Sequence, residues 1–184
     1  MNYIVDDIGT IVAAVRNADF DSSFDSSFSS GFPFYLYGHR QEIANRLDAK
    51  NKDRSTKDKK YPAIFLKLDT DEDIRNGYQF YDLNLVIVNF TKANYNAEER
   101  YTNVFKPVLY PIYEMFLKKL RDSGLFVWEA PPDGDNTYPP HKKIDRPYYG
   151  TPGEEANVKR IFSDPLDAIE IVNLKIQSRI KCGV

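Results

Sequence analysis

The sequence predicts an α+β fold: one mostly antiparallel, mixed sheet packed by one long helix and one or two shorter helices. Segments 61–69 and 78–90 are rich in β-branched and aromatic residues, and an Asn-Gly turn pair before the second segment indicates a hairpin. Apolar residues at helical spacing over 101–124 predict the core helix. Segment 168–180, near the end of the chain, again has strand character.

Composition bounds the class of protein. The chain has 184 residues, with 25 Lys and Arg against 27 Asp and Glu, so its formal net charge is -2. That balance excludes a strongly basic nucleic-acid coat, and the length suffices for one domain, 1–184, with a real core. The single cysteine, Cys182, excludes an internal disulfide.

Neither a membrane span nor a signal peptide is predicted. No window approaches the roughly 18 consecutive apolar residues of a spanning helix. The N-terminus carries Asp6 and Asp7 where a signal peptide needs basic residues. We therefore expect synthesis in a reducing cytoplasm without membrane insertion.

The N-terminal third is predicted to begin with a docking helix. Its apolar residues fall on one helical face: Ile4, Ile8, Ile11, Val12 and Val15. Residues 18–31 repeat Asp-Ser-Ser-Phe and predict a mobile Ser/Phe-rich loop. The aromatic run 32–37 predicts a short edge strand, because Pro33 lies within it.

A short helix and a basic loop are predicted next. Residues 40–50 favour a helix with Ile43 and Leu47 inward, and 50–60 form the loop. Between residues 40 and 60, eight Lys and Arg stand against four acids. The preferred interpretation is a solvated loop; weaker ones are a nucleic-acid contact and a contact with the acidic N-terminal part of an adjacent copy.

Less regular structure is expected downstream of the hairpin, whose linker is taken as 70–77. Pro107 and Pro111 predict a kink or break in the long helix, and a short strand at 125–129 follows it. Residues 131–157, rich in Pro and Gly, predict an irregular excursion that is functional or orders on a partner. In the last strand, alternation puts Val172, Leu174 and Ile176 on one face and Ile169 and Ile171 on the other.

The sequence offers little catalytic chemistry. His39 and His141 lack metal-ligand spacing, no phosphate-binding glycine loop is present, and neither a metal nor another cofactor is predicted. The most suggestive carboxylates are Asp164, Asp167 and Glu170, a candidate divalent-cation site for phosphodiester hydrolysis. Alternation places Lys175 on the strand face opposite Glu170, which argues against one site, so a structural role is preferred for the three acids.

Three segments carry a resemblance: KYPAIFLKLD, LNLVIVNFTKANYNAEERYTNVFKPVLYPIYEMFLKKL and SDPLDAIEIVNLKI. They resemble a family of virion proteins of crAss-like phages and prophages of gut Bacteroidetes. The order of elements is also similar to tail-terminator and head-tail connector proteins, small α/β subunits that form rings at the neck of tailed phages. This second likeness is one of architecture.

The loops 18–31 and 131–157 are predicted to be assembly surfaces, since they carry aromatic residues that a solvated linker does not need. The alternative is that these rings fold back on their own subunit. The candidate subunit-interface residues, with three lysines of the basic loop, are Phe20, Phe24, Phe28, Tyr138, Tyr148, Tyr149, Lys57, Lys59 and Lys60.

The resemblance implies a structural, non-enzymatic virion protein, made in the bacterial host cytoplasm and located at the neck or tail. Its expected partners are other copies of itself in a ring of 6- or 12-fold symmetry, the neighbouring portal or connector and tail proteins, and, by proximity, channel DNA. Two alternatives stay open. One is a metal-dependent phage nuclease using Asp164, Asp167 and Glu170, and the other is a monomeric intracellular binding module.

Overall fold

The structure, a computed structural model, describes residues 3–20, 32–52, 60–129, 138–150 and 162–179. Its core is a mixed five-stranded sheet of order β1-β2-β3-β5-β4, in which only β1 and β2 are parallel. This confirms the α+β prediction. The strands are β1 (Phe34–Gly38), β2 (Ala63–Arg75), β3 (Tyr78–Phe90), β4 (Lys142–Tyr149) and β5 (Leu166–Arg179).

Helices cover both faces of the sheet. They are α1 (Ile4–Arg16), α2 (Arg40–Lys52), and a continuous helix made of α3 (Ala97–Arg100), a π-helical segment (Tyr101–Leu109) and α4 (Tyr110–Asp122). On the first face, α1 and the continuous helix pack on Ile64, Leu83 and Ile87. On the second face, α2 packs on Phe65 and Val86. It does so through Ile43 and Leu47, the two residues predicted to point inward.

The hairpin is longer than its sequence pattern indicates. β2 continues to Arg75 and β3 begins at Tyr78, so most of the predicted linker is strand. Pairing resumes after an irregularity between Lys67 and Asp71, which lets a charged stretch continue the ladder. The turn has positive φ at Asn76 (53°) and Gly77 (76°), as a two-residue hairpin turn requires.

The continuous helix confirms the predicted core helix and changes geometry near its two prolines. It begins with a capping box formed by Asn96 and Glu99. Nine residues around Pro107 adopt π-helical geometry, and α4 begins at Tyr110 with Pro111 in its first turn, so the two prolines lie at a change of helical geometry. The pattern over 101–124 also placed Tyr101 among the inward residues, but its side chain is half exposed.

The Pro/Gly-rich excursion is not wholly irregular. Its residues Lys142–Tyr149 form β4, an outer strand antiparallel to β5. The register shifts between Arg146 and Tyr149, where Pro147 lies, so the missing N–H falls at an irregularity of an edge strand. The predicted strand at 125–129 is limited to a single bridge between Val127 and Gln177.

A bulge in β5 makes the predicted division of its faces wrong. Leu83 pairs with Leu174 and Leu85 with Ile171, so an extra residue enters β5, where Asn173 has a φ of 55°. One extra residue inverts the alternation. Consequently the first-face core contains residues from both sides of the bulge: Ile169, Ile171, Leu174 and Ile176. Glu170 and Lys175 therefore share the second face, and the alternation argument that separated them is wrong.

Candidate functional site

The three suggestive carboxylates have separate basic partners. Lys60 Nζ donates to Asp164 at 2.5 Å, and Tyr61 donates its hydroxyl to the same oxygen at 3.1 Å. Arg100 Nη1 donates to Asp167 at 2.5 Å. Lys67 and Arg146 donate to Glu170 at 3.3 and 2.8 Å.

These carboxylates also lie on both faces of the sheet. Ala168 packs in the second-face core, so its neighbour Asp167 points to the first face, whereas Glu170 points to the second. Among the residues that the structure describes, no three or more His, Cys, Asp or Glu side chains form a group that could hold a metal ion. The structure therefore does not bring together the three acids of the nuclease hypothesis.

A buried ion pair at the end of β5 is the site that sequence reasoning missed. Arg100 and Asp167 are 2% and 0% exposed. Arg100 also donates to the carbonyl oxygens of Tyr95 and Lys92 at 3.0 and 3.2 Å, and the ring of Tyr148 covers its guanidinium at 3.6 Å. Arg100 thus joins the loop after β3 to β4 and β5, which are distant in sequence.

Glu170 is a largely buried acceptor for two cations on the second face. Burial raises the pKa of Glu170, but the hydrogen bond from Arg146 and the charge of Lys67 outweigh it, so the pKa lies below its ordinary value of 4.5. A carboxylate with a lowered pKa adds stability above its unfolded-state pKa, and that contribution is lost as the pH falls through the folded-state pKa.

Glu170→Gln is therefore expected to lower the free energy of unfolding near neutral pH and to have a shrinking effect below about pH 4.5. Urea unfolding of both proteins across this range measures the gap. In an Arg146→Gln background the gap should be smaller at neutral pH, since one of the two cations is gone. A gap independent of pH would contradict the assigned role of Glu170.

The predicted interface residues have different fates. Tyr138 and Tyr148 are 39% and 50% exposed, and Phe20 is half buried against the first-face core. Tyr149 and Lys60, by contrast, are buried within their own subunit, so their prediction as exposed contacts is corrected. The ring of Tyr149 stacks on that of Phe162 in the second-face core, and Lys60 pairs with Asp164. The others lie outside the described residues: Phe24, Phe28, Lys57 and Lys59.

An open, acidic cavity of about 350 Å³ lies between the β2–β3 hairpin, β5, and the residues Glu129 and Pro140. We call it the acidic cavity. Asp71, Asp82 and Lys175 lie in register across three strands at its centre. Five acids and two bases line it, together with aromatic and other residues: Asp71, Glu72, Asp73, Asp82, Glu129, Arg75, Lys175, Phe80, Tyr81, Pro140, Ile176 and Gln177.

Two features of the acidic cavity favour a cation. Asp71 and Asp82 are direct cross-strand neighbours, an arrangement that like charges make unfavourable. In the described part of the chain, Asp82 Oδ1 is buried and has no hydrogen-bond partner. The ring of Phe80 is already covered by a cation of the same hairpin, since Arg75 lies over it at 4.4 Å. The acidic stretch 69–73 was the sequence signal for this site.

The fold and the sites define an α+β protein with a mixed sheet, a buried ion pair and an acidic cavity. No protein-family model matches the chain, and no curated protein sequence matches it. In the described residues, no helix has the length and apolar character needed to cross a membrane.

Proposed function

We propose that the protein is a structural virion protein: a non-enzymatic subunit of a homo-oligomeric ring at the neck or tail terminator of a tailed phage. Such a ring joins portal-side proteins to the tail. The resemblance of the strand pair, the core helix and the last strand motivates the proposal. A ring subunit needs a rigid body with exposed surfaces for two different neighbours, because head-to-tail contacts use two unlike surfaces.

The structural observation that carries the proposal is an exposed tyrosine surface on a rigid support. Tyr101 and Tyr148 are each about half exposed, and Tyr110 lies beside Tyr101 with ring centroids 6.2 Å apart. The guanidinium of Arg100 packs against the ring of Tyr148, and the Tyr148 hydroxyl donates to the Tyr95 carbonyl at 3.2 Å. Tyrosines of low conformational freedom beside arginine are typical anchors of protein interfaces.

The mass of the purified protein in native mass spectrometry or light scattering tests the proposal. The expected result is a closed oligomer of 6 or 12 copies, and electron microscopy of virions should place it between head and tail. A protein that stays monomeric at every concentration and is missing from purified virions contradicts it.

Substitution of Tyr101 tests whether the tyrosine surface is the interface between subunits. Tyr101→Ala should weaken association by about 2 kcal/mol, roughly 30-fold, if Tyr101 is a buried anchor in the ring. The substitution leaves Arg100 and its contacts in place. Tyr3→Ala, which removes a still more exposed tyrosine, is the matched control and should leave the oligomer unchanged. Equal effects of both substitutions would remove this surface from the interface.

A further inference from the structure

The sheet has open edges on two different strands. β4 is an outer strand: β5 pairs with one side of it, and no strand in the described part of the chain pairs with the other. β1 pairs with β2 only as far as Lys67, so among the described strands none lies along the outer side of residues 68–75. Along such an edge the N–H and C=O groups of alternate residues point away from the sheet and can pair with another strand.

Both edges are exposed, and they match in length. β4 has eight residues and so has the segment 68–75, which corresponds to about 26 Å of strand at roughly 3.3 Å per residue. All residues of β4 except Ile144 and Tyr149 are exposed, and so are all residues of 68–75 except Thr70. Both edges are therefore accessible to another chain over their whole length.

The two edges carry opposite charges. β4 has three bases against one acid: Lys142, Lys143 and Arg146 against Asp145. The segment 68–75 has four acids against one base: Asp69, Asp71, Glu72 and Asp73 against Arg75. Some of these side chains pair within their own strand, as Lys143 does with Asp145 and Arg75 with Asp73. Such solvent-accessible pairs contribute little free energy, so their members can exchange partners.

Charge decides which edges can pair. Two β4 edges repel each other, and so do two copies of the segment 68–75, because like charges on neighbouring strands are destabilising. β4 beside the segment 68–75 brings unlike charges together instead. Lysine and proline on an outer strand oppose unspecific pairing, and β4 contains both. The β4 edge therefore favours an acidic strand as its partner.

The acidic strand must come from a second copy. Within one chain β3 and β5 lie between β2 and β4, so the two edges cannot meet. The β4 edge also adjoins the tyrosine surface, since Tyr110 donates its hydroxyl to Asp145 at 2.8 Å and Lys143 lies over the Tyr110 ring at 4.4 Å. A strand that pairs with β4 is thus placed beside the proposed interface.

We propose that β4 of one copy pairs through its open edge with residues 68–75 of an adjacent copy, so that the two sheets continue across the contact. The inference rests on the proposed function, since it names the contact that joins one ring subunit to the next. The contact is head-to-tail because it uses two different edges. Such contacts close into a ring when the rotation between copies allows it.

Charge reversal on either edge tests the contact by light scattering. Lys142→Glu with Lys143→Glu, and separately Glu72→Lys with Asp73→Lys, should each weaken association by at least about 100-fold, because like charges then meet. An equimolar mixture of the two variants should assemble again, since unlike edges face each other at every contact. The matched control, Lys118→Glu with Lys119→Glu on α4, changes the charge equally and should assemble like the parent protein. Circular dichroism should be the same for all variants.

Hydrogen exchange locates the contact in the parent protein. On assembly, the backbone amides of β4 and of 68–75 should exchange at least about 10-fold more slowly, whereas those of β1, the other outer strand, should not change. If the reversed variants assemble like the parent protein, if their folded mixture stays monomeric, or if exchange at the two edges does not slow, the edges are not the contact.

The same measurements separate the edge contact from the ring. A closed ring that forms without the two edges overturns the edge contact and leaves the ring in place. Association that needs both edges, but gives an open chain that is missing from virions, supports the edge contact and contradicts the ring. A parent protein that is monomeric at every concentration contradicts both.

Discussion

Replacing Arg100 by methionine is expected to lower the free energy of unfolding by about 3–5 kcal/mol. Arg100 makes the 2.5 Å contact to Asp167, and both side chains are almost fully buried. Methionine preserves much of the apolar stem but leaves the Asp167 carboxylate in the interior without its cation. The two loop carbonyls that accept from Arg100 also lose their donor. Urea denaturation of the variant and the parent protein measures the loss.

Two further variants show whether the buried charge is the cause. Arg100→Met combined with Asp167→Leu removes both charges, and its stability should lie well above that of Arg100→Met alone. Arg46→Met is the matched control, because Arg46 forms an exposed pair with Glu42 one helical turn away. Its effect should stay near 0.3–0.5 kcal/mol. If the double variant is as unstable as the single one, the loss comes from packing and the hydrogen bonds to the loop.

Phe116→Ala is expected to lower the free energy of unfolding by about 3–5 kcal/mol. Phe116 is fully buried in the first-face core, and it belongs to the helix that packs against β3. Removing the ring loses its transfer free energy and leaves a cavity that a rigid sheet and helix fill only in part. The thermal midpoint and the denaturant midpoint should both fall.

Phe90 provides a matched control for that substitution. It is the last residue of β3 and its side chain is half exposed. Phe90→Ala also removes a phenyl ring, but at a position that solvent already reaches, so its cost should be at most about 1 kcal/mol. Equal losses for the two variants would mean that the continuous helix is not packed on the sheet as described.

Much of the fold was predictable because the pattern of each element is local. The inward residues of α1, the two inward residues of α2 and the Asn-Gly turn were all correctly interpreted. β4 was missed because Pro147 and the surrounding glycines dominate its composition, and an outer strand with only one neighbour tolerates both. The extent of β2 was missed because its C-terminal half is charged and exposed to solvent.

The candidate sites were less predictable. Tyr148 was singled out as an anchor and is exposed, whereas Lys60, singled out as a basic loop residue, is buried beside Asp164. The sequence does not distinguish these outcomes, because the burial of a lysine depends on whether a carboxylate far along the chain lies beside it. Here that carboxylate is 104 residues away.

By itself the sequence determined the α+β class, the order of most elements and the inward residues of the helices, since hydrophobic periodicity acts over a few residues. Only the tertiary structure decided which charges are paired and which meet in the acidic cavity. One extra residue in β5 placed Glu170 and Lys175 on the same face, where simple alternation places them on opposite faces. Ladder register and long-range ion pairs depend on residues far apart in the chain, and no local pattern specifies them.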